Sequence, residues 1–253
     1  MNWVTRSLYS VWGVLAWLSF GLAALLALLT ALFVPGKARR QKLAALASRA
    51  VFAIPRVKVN VIGRDNLPAT DCIVVANHAS YVDGPLLKGY LPGRFNFVIK
   101  GELRDIPIVH FLLRRSGAKF VERTEQSGSA RDARQIVKAA QGGESLAFFP
   151  EGTFLKQPGV GRFRPGAFVA AVRGALPVVP VAISGTREML PSGRFLPWPV
   201  PLTIEILPAI APGDPDFADN RRLAEAARQR ILEVLDEPDL LHQTGSAEDP
   251  ATN

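Results

Sequence analysis

The chain has 253 residues, 48% of them hydrophobic, and a formal net charge of +8 at pH 7. That length allows one large catalytic domain or two small ones, and the apolar share can bury a sizeable core. The basic balance suits nucleic acid, anionic lipid or phosphorylated substrates. No zinc-finger spacing, Walker loop or RNA-binding aromatic signature supports the nucleic-acid side, so none is expected as a partner. The single cysteine, Cys72, excludes an intramolecular disulfide framework and fits a reducing compartment.

Residues 11–34 carry no charge, and Pro35-Gly36 closes the run. As a helix it would extend about 36 Å, enough to cross a hydrocarbon core of about 30 Å. Trp12 and Trp17 lie toward its start, where an interfacial position suits indole rings. Lys37, Arg39, Arg40 and Lys42 follow it, against Arg6 and the chain amine before it. That bias predicts a cytoplasmic side after the helix. A cleaved signal peptide is the competing account, but the run is long for one and Phe33-Val34-Pro35 offers no cleavage pattern. Membrane insertion or deep embedding is therefore expected.

Residues 38–54 read as a second, more amphipathic helix, with Leu43, Leu46, Ala47 and Ala50 sharing a face. Its basic start suits anionic headgroups, or the helix simply packs on the domain. Val57, Val59 and Val61 alternate with polar residues and predict a first strand at 57–62. Further strands are predicted at 72–76, 95–99, 118–121, 145–149, 178–183 and 202–207. Helices are predicted at 86–90, 106–115, 129–140, 166–173 and 216–235, the last with Leu223, Ala227, Ile231 and Leu235 on one side. The expected fold is α/β: a mixed or largely parallel central sheet flanked by helices, with an N-terminal hydrophobic membrane helix. The expected divisions are a membrane-associated helical region at 1–54, the α/β domain at 55–237 and a loose tail at 238–253.

The segment NHASYVD, residues 77–83, falls where the strand at 72–76 ends, a position where ligand and catalytic groups gather in α/β proteins. On an uninterrupted helix His78 and Asp83 would point apart by about 140°. A turn through Ala79-Ser80-Tyr81 lets them converge, and Gly84-Pro85 then begins the next helix. Asp83 can fix the tautomer of His78 and leave its other nitrogen as a base near neutral pH, the logic of a dyad acting on a substrate hydroxyl. A satisfied polar turn with Asp83 as helix cap is the alternative. Ser80 lacks a GxSxG elbow and is not read as a nucleophile.

Phe148-Phe149-Pro150-Glu151-Gly152-Thr153 is a second strand-to-loop transition, with a carboxylate, a permissive glycine and a hydroxyl. Arg123 lies just beyond the strand at 118–121 and can clasp a phosphate, or join Glu122 and Glu125 in a solvated charge network.

Together these pieces resemble the glycerolipid acyltransferase family, especially 1-acylglycerol-3-phosphate acyltransferases. The resemblance is carried by HxxxxD at His78 and Asp83, GAKFVER at 117–123, FPEGT at 149–153 and VVPVAISG at 178–185. It implies transfer of a fatty acyl group from acyl-CoA or acyl-ACP to the hydroxyl of lysophosphatidic acid, with no other cofactor and no metal. His78 would be the base and Asp83 its support. Arg123 would bind phosphate, Glu151, Gly152 and Thr153 the acceptor, while Pro180 would shape the substrate or acyl site. The segment Lys100-Gly101-Glu102-Leu103 resembles the family region between the first two blocks, and Arg164 the basic residue of an FKxG-like segment; both cations become substrate-binding candidates, with a Lys100–Glu102 contact and a solvated surface charge as the alternatives. Membrane lipids and acyl carrier protein become expected partners, and a cell membrane with the catalytic domain on its cytoplasmic face the expected location. Some members embed their amino-terminal helices in one face of a membrane. The chain departs from the pattern in one place: Phe154 follows EGT where arginine is common. Lys156, Arg162 or Arg164 could supply the missing charge, and another lysolipid, such as lyso-ornithine lipid, remains open as acceptor. A noncatalytic lipid-binding protein and a thioesterase or lipid hydrolase are the rival readings.

Overall fold

The structure, a computed structural model, describes residues 3–121, 126–154 and 156–242. Two helices, α1 (Trp3–Phe33) and α2 (Lys37–Ala53), precede the α/β domain. The strands are β1 (Val59–Ile62), β2 (Ile73–Ala76), β3 (Asn96–Lys100), β4 (Lys119–Val121), β5 (Leu146–Phe148), β6 (Val178–Ser184) and β7 (Leu202–Ile206). Around them lie α3 (Asp83–Tyr90), α4 (Pro107–Arg115), α5 (Gln126–Gln141), α6 (Gly166–Gly174), α7 (Thr186–Met189) and α8 (Asn220–Leu232). Each predicted strand has its counterpart within a few residues. The four-residue α7 was not foreseen; it is a single turn following Gly185, too short to show periodicity.

The strands form one sheet in the order β1-β7-β6-β2-β5-β3-β4. Every neighbouring pair is parallel except β6 and β7. The sheet is thus mixed, as expected. Its centre, β2, is apolar on both faces because both are covered: Ile73 and Val75 face α6 and α8, while Val74 and Ala76 face α2 and α3. Each large side chain buried this way contributes about 1.5–3 kcal/mol. Cys72 is fully buried, and burial pushes its thiol up from the ordinary value.

The predicted face of α2 needs correction. The helix buries Gln41, Ala45, Ala47, Val51 and Phe52, whereas Leu43 and Leu46 point outward. Close approach is the reason: a Cβ on Gly89 of α3 would come within 3.1 Å of the Arg49 backbone nitrogen, so small residues occupy the contact. Nor is the basic start of α2 wholly free for headgroups. Arg40 donates to the carbonyls of Val34 and Arg115, satisfying polar groups at the ends of α1 and α4.

Residues Ser7–Phe33 of α1 are long and apolar enough to cross a membrane, with a mean hydropathy of 2.2 over an 18-residue window. The helix is nevertheless fastened to the domain along much of its length. Tyr9 stacks on Trp198 at 5.2 Å, Trp12 Nε1 donates to Pro55 O, and Trp17 Nε1 donates to Phe195 O at 2.8 Å. Toward the other end, Arg115 Nε donates to Ala31 O at 2.8 Å. The outer face presents exposed Leu15, Leu18, Leu22, Leu25 and Leu29.

Residues 238–242, placed by sequence in the loose tail, are held to the domain. Val160 pairs with Asp239, its amide donates to Pro238 O, and Asp239 forms an ion pair with Arg228 of α8. The polar character of this segment reflects ion pairing rather than looseness. Residues 243–253 lie outside the described residues.

Candidate active site

Because β2, β5, β3 and β4 are contiguous and parallel, their carboxyl ends open onto one edge of the sheet. Asn77 fastens the first of these ends. Its Nδ2 donates to Ile183 O and its Oδ1 accepts from Ile183 N, pinning β2 to β6. The chain then turns, and His78 and Asp83 converge: His78 Nδ1 lies 2.8 Å from Asp83 Oδ2.

Asp83 is fully buried, and the same Oδ2 accepts the amides of Ala79 at 2.7 Å and Ser80 at 2.8 Å. The carboxylate therefore turns back into the loop instead of capping α3, whose N-terminus has no side-chain cap. An acceptor holding two amides takes the third bond from a protonated Nδ1, which leaves the Nε2 lone pair as the base. Ser80 is buried and its hydroxyl donates to Leu190 O, so it braces the turn.

Glu151 ties this turn to the loop after β5. Its Oε1 accepts the His78 amide at 2.8 Å and its Oε2 accepts the Gly161 amide at 2.9 Å. Burial pushes its carboxyl up from the ordinary value, against the two amides that hold the charged form. Gly152 adopts φ 83°, a left-handed conformation that favours glycine, and Thr153 is exposed. Arg164 comes to the same loop: its amide donates to Pro150 O and its Nε to Glu151 O.

Lys100 ends β3, on the sheet edge that carries His78 and Glu151. Arg123 lies outside the described residues. Lys156 and Arg162 are exposed, and Pro180 is buried within β6 opposite Val75.

Aromatic rings enclose the histidine. Phe149 stacks on the imidazole at 4.3 Å, and Phe154 meets it edge-on at 4.9 Å. Phe154 also contacts the ring of Tyr81, which is 66% exposed. Sequence reasoning flagged Phe154 only as a missing arginine and did not foresee its packing on His78. It also missed Gly161 and Arg228. Arg228 is 1% exposed and donates through Nε to Gly161 O at 2.9 Å, so it braces the loop that holds Glu151. Its place in α8, far along the chain, gave no local signal.

The profile of the Acyltransferase family matches residues 58–184, half of the chain. A 1-acyl-sn-glycerol-3-phosphate acyltransferase of Chlamydomonas reinhardtii is 34% identical over 184 residues, covering 72% of this chain and 54% of the relative. A lyso-ornithine lipid O-acyltransferase of Pseudomonas aeruginosa is 32% identical over 148 residues, covering 58% of this chain and 55% of the relative. The chain thus spans about half the length of these curated relatives. The crystal structure of the 1-acyl-sn-glycerophosphate acyltransferase of Thermotoga maritima superposes with a TM-score of 0.73 at 25% identity, covering 89% of this chain and 95% of that one. With the matched half containing the His78–Asp83 turn, Glu151 and the central strands, the chain belongs to the acyltransferase family.

Proposed function

We propose that this protein transfers a fatty acyl group from acyl-CoA or acyl-ACP to the free hydroxyl of lysophosphatidic acid, giving phosphatidic acid. The observation that carries the reading is the 2.8 Å contact between His78 Nδ1 and Asp83 Oδ2, which leaves Nε2 as the base. Nε2 takes the hydroxyl proton as the hydroxyl oxygen bonds to the thioester carbonyl carbon. The tetrahedral species then collapses, the C–S bond breaks, and the leaving thiolate receives the proton from His78. Asp83 stays ionised throughout and supports the imidazolium. Glu151 acts as a positioning residue, since both of its oxygens already hold backbone amides.

Lys100 at the end of β3 and Arg164 in the loop beside Glu151, together with Arg123 from the family resemblance, are the candidates to hold the acceptor phosphate or the donor's phosphates. The fastening of α1 along the domain supports a placement in which α1 and the catalytic edge sit together in the cytoplasmic face of the cell membrane. A second reading rests on Phe154. A ring against His78 brings no charge to the acceptor headgroup, which favours a different lysolipid such as lyso-ornithine lipid.

A product-resolved assay decides the matter. Purified protein is given acyl-CoA and acyl-ACP against lysophosphatidic acid, lysophosphatidylcholine, lysophosphatidylethanolamine and lyso-ornithine lipid. Phosphatidic acid as the main product is the expected result. A clear preference for another acceptor overturns the substrate and leaves acyl transfer standing. Free fatty acid without acylated lipid makes the protein a hydrolase, and lipid binding with no reaction makes it a noncatalytic binder.

A further inference from the structure

Two separate apolar cavities lie between α1 and the catalytic domain; one reaches the turn that carries His78 and Asp83, and the other the start of α3 just after it. The first, of about 280 Å³, begins at Gly84 and Pro85 and runs between α1, α2 and α4 past Ala27 and Ala47. About one turn further along α3, Lys88 lines it, its ammonium 5.6 Å from the centroid of the Phe97 ring. The second, of about 420 Å³, begins at Tyr81 and Val82 and passes Ala16, Val109 and Leu190 beneath Trp12 and Trp17. Phe20, Val51 and Pro85 line both cavities and so form the wall between them.

The proposed reaction brings two hydrocarbon chains to one histidine, the chain being transferred and the chain the lysolipid already carries. We infer that the second cavity seats the acceptor's own chain, apart from the donor chain in the first, with Phe20 as the partition. This rests on the acyltransferase reading above.

The assignment follows from what borders each cavity. The acceptor is a lipid whose chain begins only a few bonds from its reacting hydroxyl, so its seat must open beside His78 at headgroup depth. Tyr81 touches Phe154, which touches His78, and the indole nitrogens of Trp12 and Trp17 bond to backbone carbonyls over this same cavity. Indoles of this kind mark the membrane interface. The first cavity instead lies against β3, through Phe97 and Ile99, and carries a basic group, Lys88, on its wall, which suits a chain delivered whole by a water-soluble carrier.

The test pairs two filling substitutions with two chain-length series, one of acyl-CoA donors and one of lysophosphatidic acids. Ala16→Phe narrows the second cavity. Its kcat/KM should fall by about fourfold for each acceptor methylene excluded, with the donor series following wild type. Ala27→Phe narrows the first cavity and should do the reverse. Short-chain substrates report whether each variant still works; if either loses them too, Phe20→Ala replaces it. That substitution joins the cavities and should blur both length preferences. The inference is overturned if Ala16→Phe and Ala27→Phe change the same series, if neither changes any, or if Phe20→Ala leaves both preferences as in wild type. Wild-type protein that acylates no lysolipid would overturn the function itself, a result distinct from all of these.

Discussion

At the catalytic rim, polar atoms are placed one by one. Asp83 Oδ2 holds His78 Nδ1 and two amides, Glu151 holds one amide with each oxygen, and Asn77 makes a reciprocal pair with Ile183. Across the turn, the wall of α1 and α2 places Ala23, Ala27, Ala44 and Ala47 beside Phe20 and Val51 around apolar space. Hydrogen bonds fix direction, so the rim fixes where a proton goes. Apolar walls set only volume, so the helical side decides which chain fits. Change of a single atom should therefore be felt as rate on one side and as selectivity or stability on the other.

The largest effect expected from breaking that contrast is His78→Ala, which should lower acyl transfer by about 10²–10⁴-fold while co-sedimentation with liposomes stays at the wild-type level. Next comes Glu151→Gln. The amide can accept from only one of the two backbone N–H groups, and leaving a buried donor unpaired costs about 1–3 kcal/mol. Steady-state kinetics should show kcat reduced by about tenfold or more, with the acceptor KM little changed.

Phe154→Ala removes the ring edge from His78 and admits water to the base. Product analysis should show free fatty acid rising several-fold relative to acylated lipid; an unchanged ratio would show that the ring does not exclude water.

The smallest effect is expected on the helical side. Desolvation by burial, with Lys37 adding to it, brings Lys88 from the ordinary 10.5 down to about 8. The folded state therefore holds the proton less tightly than the unfolded state. The penalty is present at pH values below 8 and is relieved as pH rises between about 8 and 10.5. In thermal melts, wild type should gain on Lys88→Met across that window, and a constant difference in Tm would contradict it.

The contrast also explains what the sequence revealed. The strands were legible because apolar runs such as 72–76 end at turn signals, and the His78–Asp83 pair was legible because its five-residue spacing sits on such an end. Local pattern carried both. The buried face of α2 was misread because close helix contact, set by Gly89 on another helix, selects alanines over the leucines that a hydrophobic count favours. Phe154 could be seen to replace a charge, yet its packing on His78 depends on how two loops from different strands fold together. Arg228 and Asp239 are distant from the motif in sequence, and only the fold brings them behind Gly161.

The clasp between α8 and residues 238–240 has a consequence for biosynthesis. His78 lies in the first third of the chain, but the loop that supports its backbone through Glu151 and Gly161 is braced by Arg228 and closed by Asp239. A nascent chain can form α1, α2 and most of the sheet before that clasp exists. The catalytic turn gains its last brace only after residue 239 has left the ribosome, when the amino-terminal helices have already had time to reach a membrane.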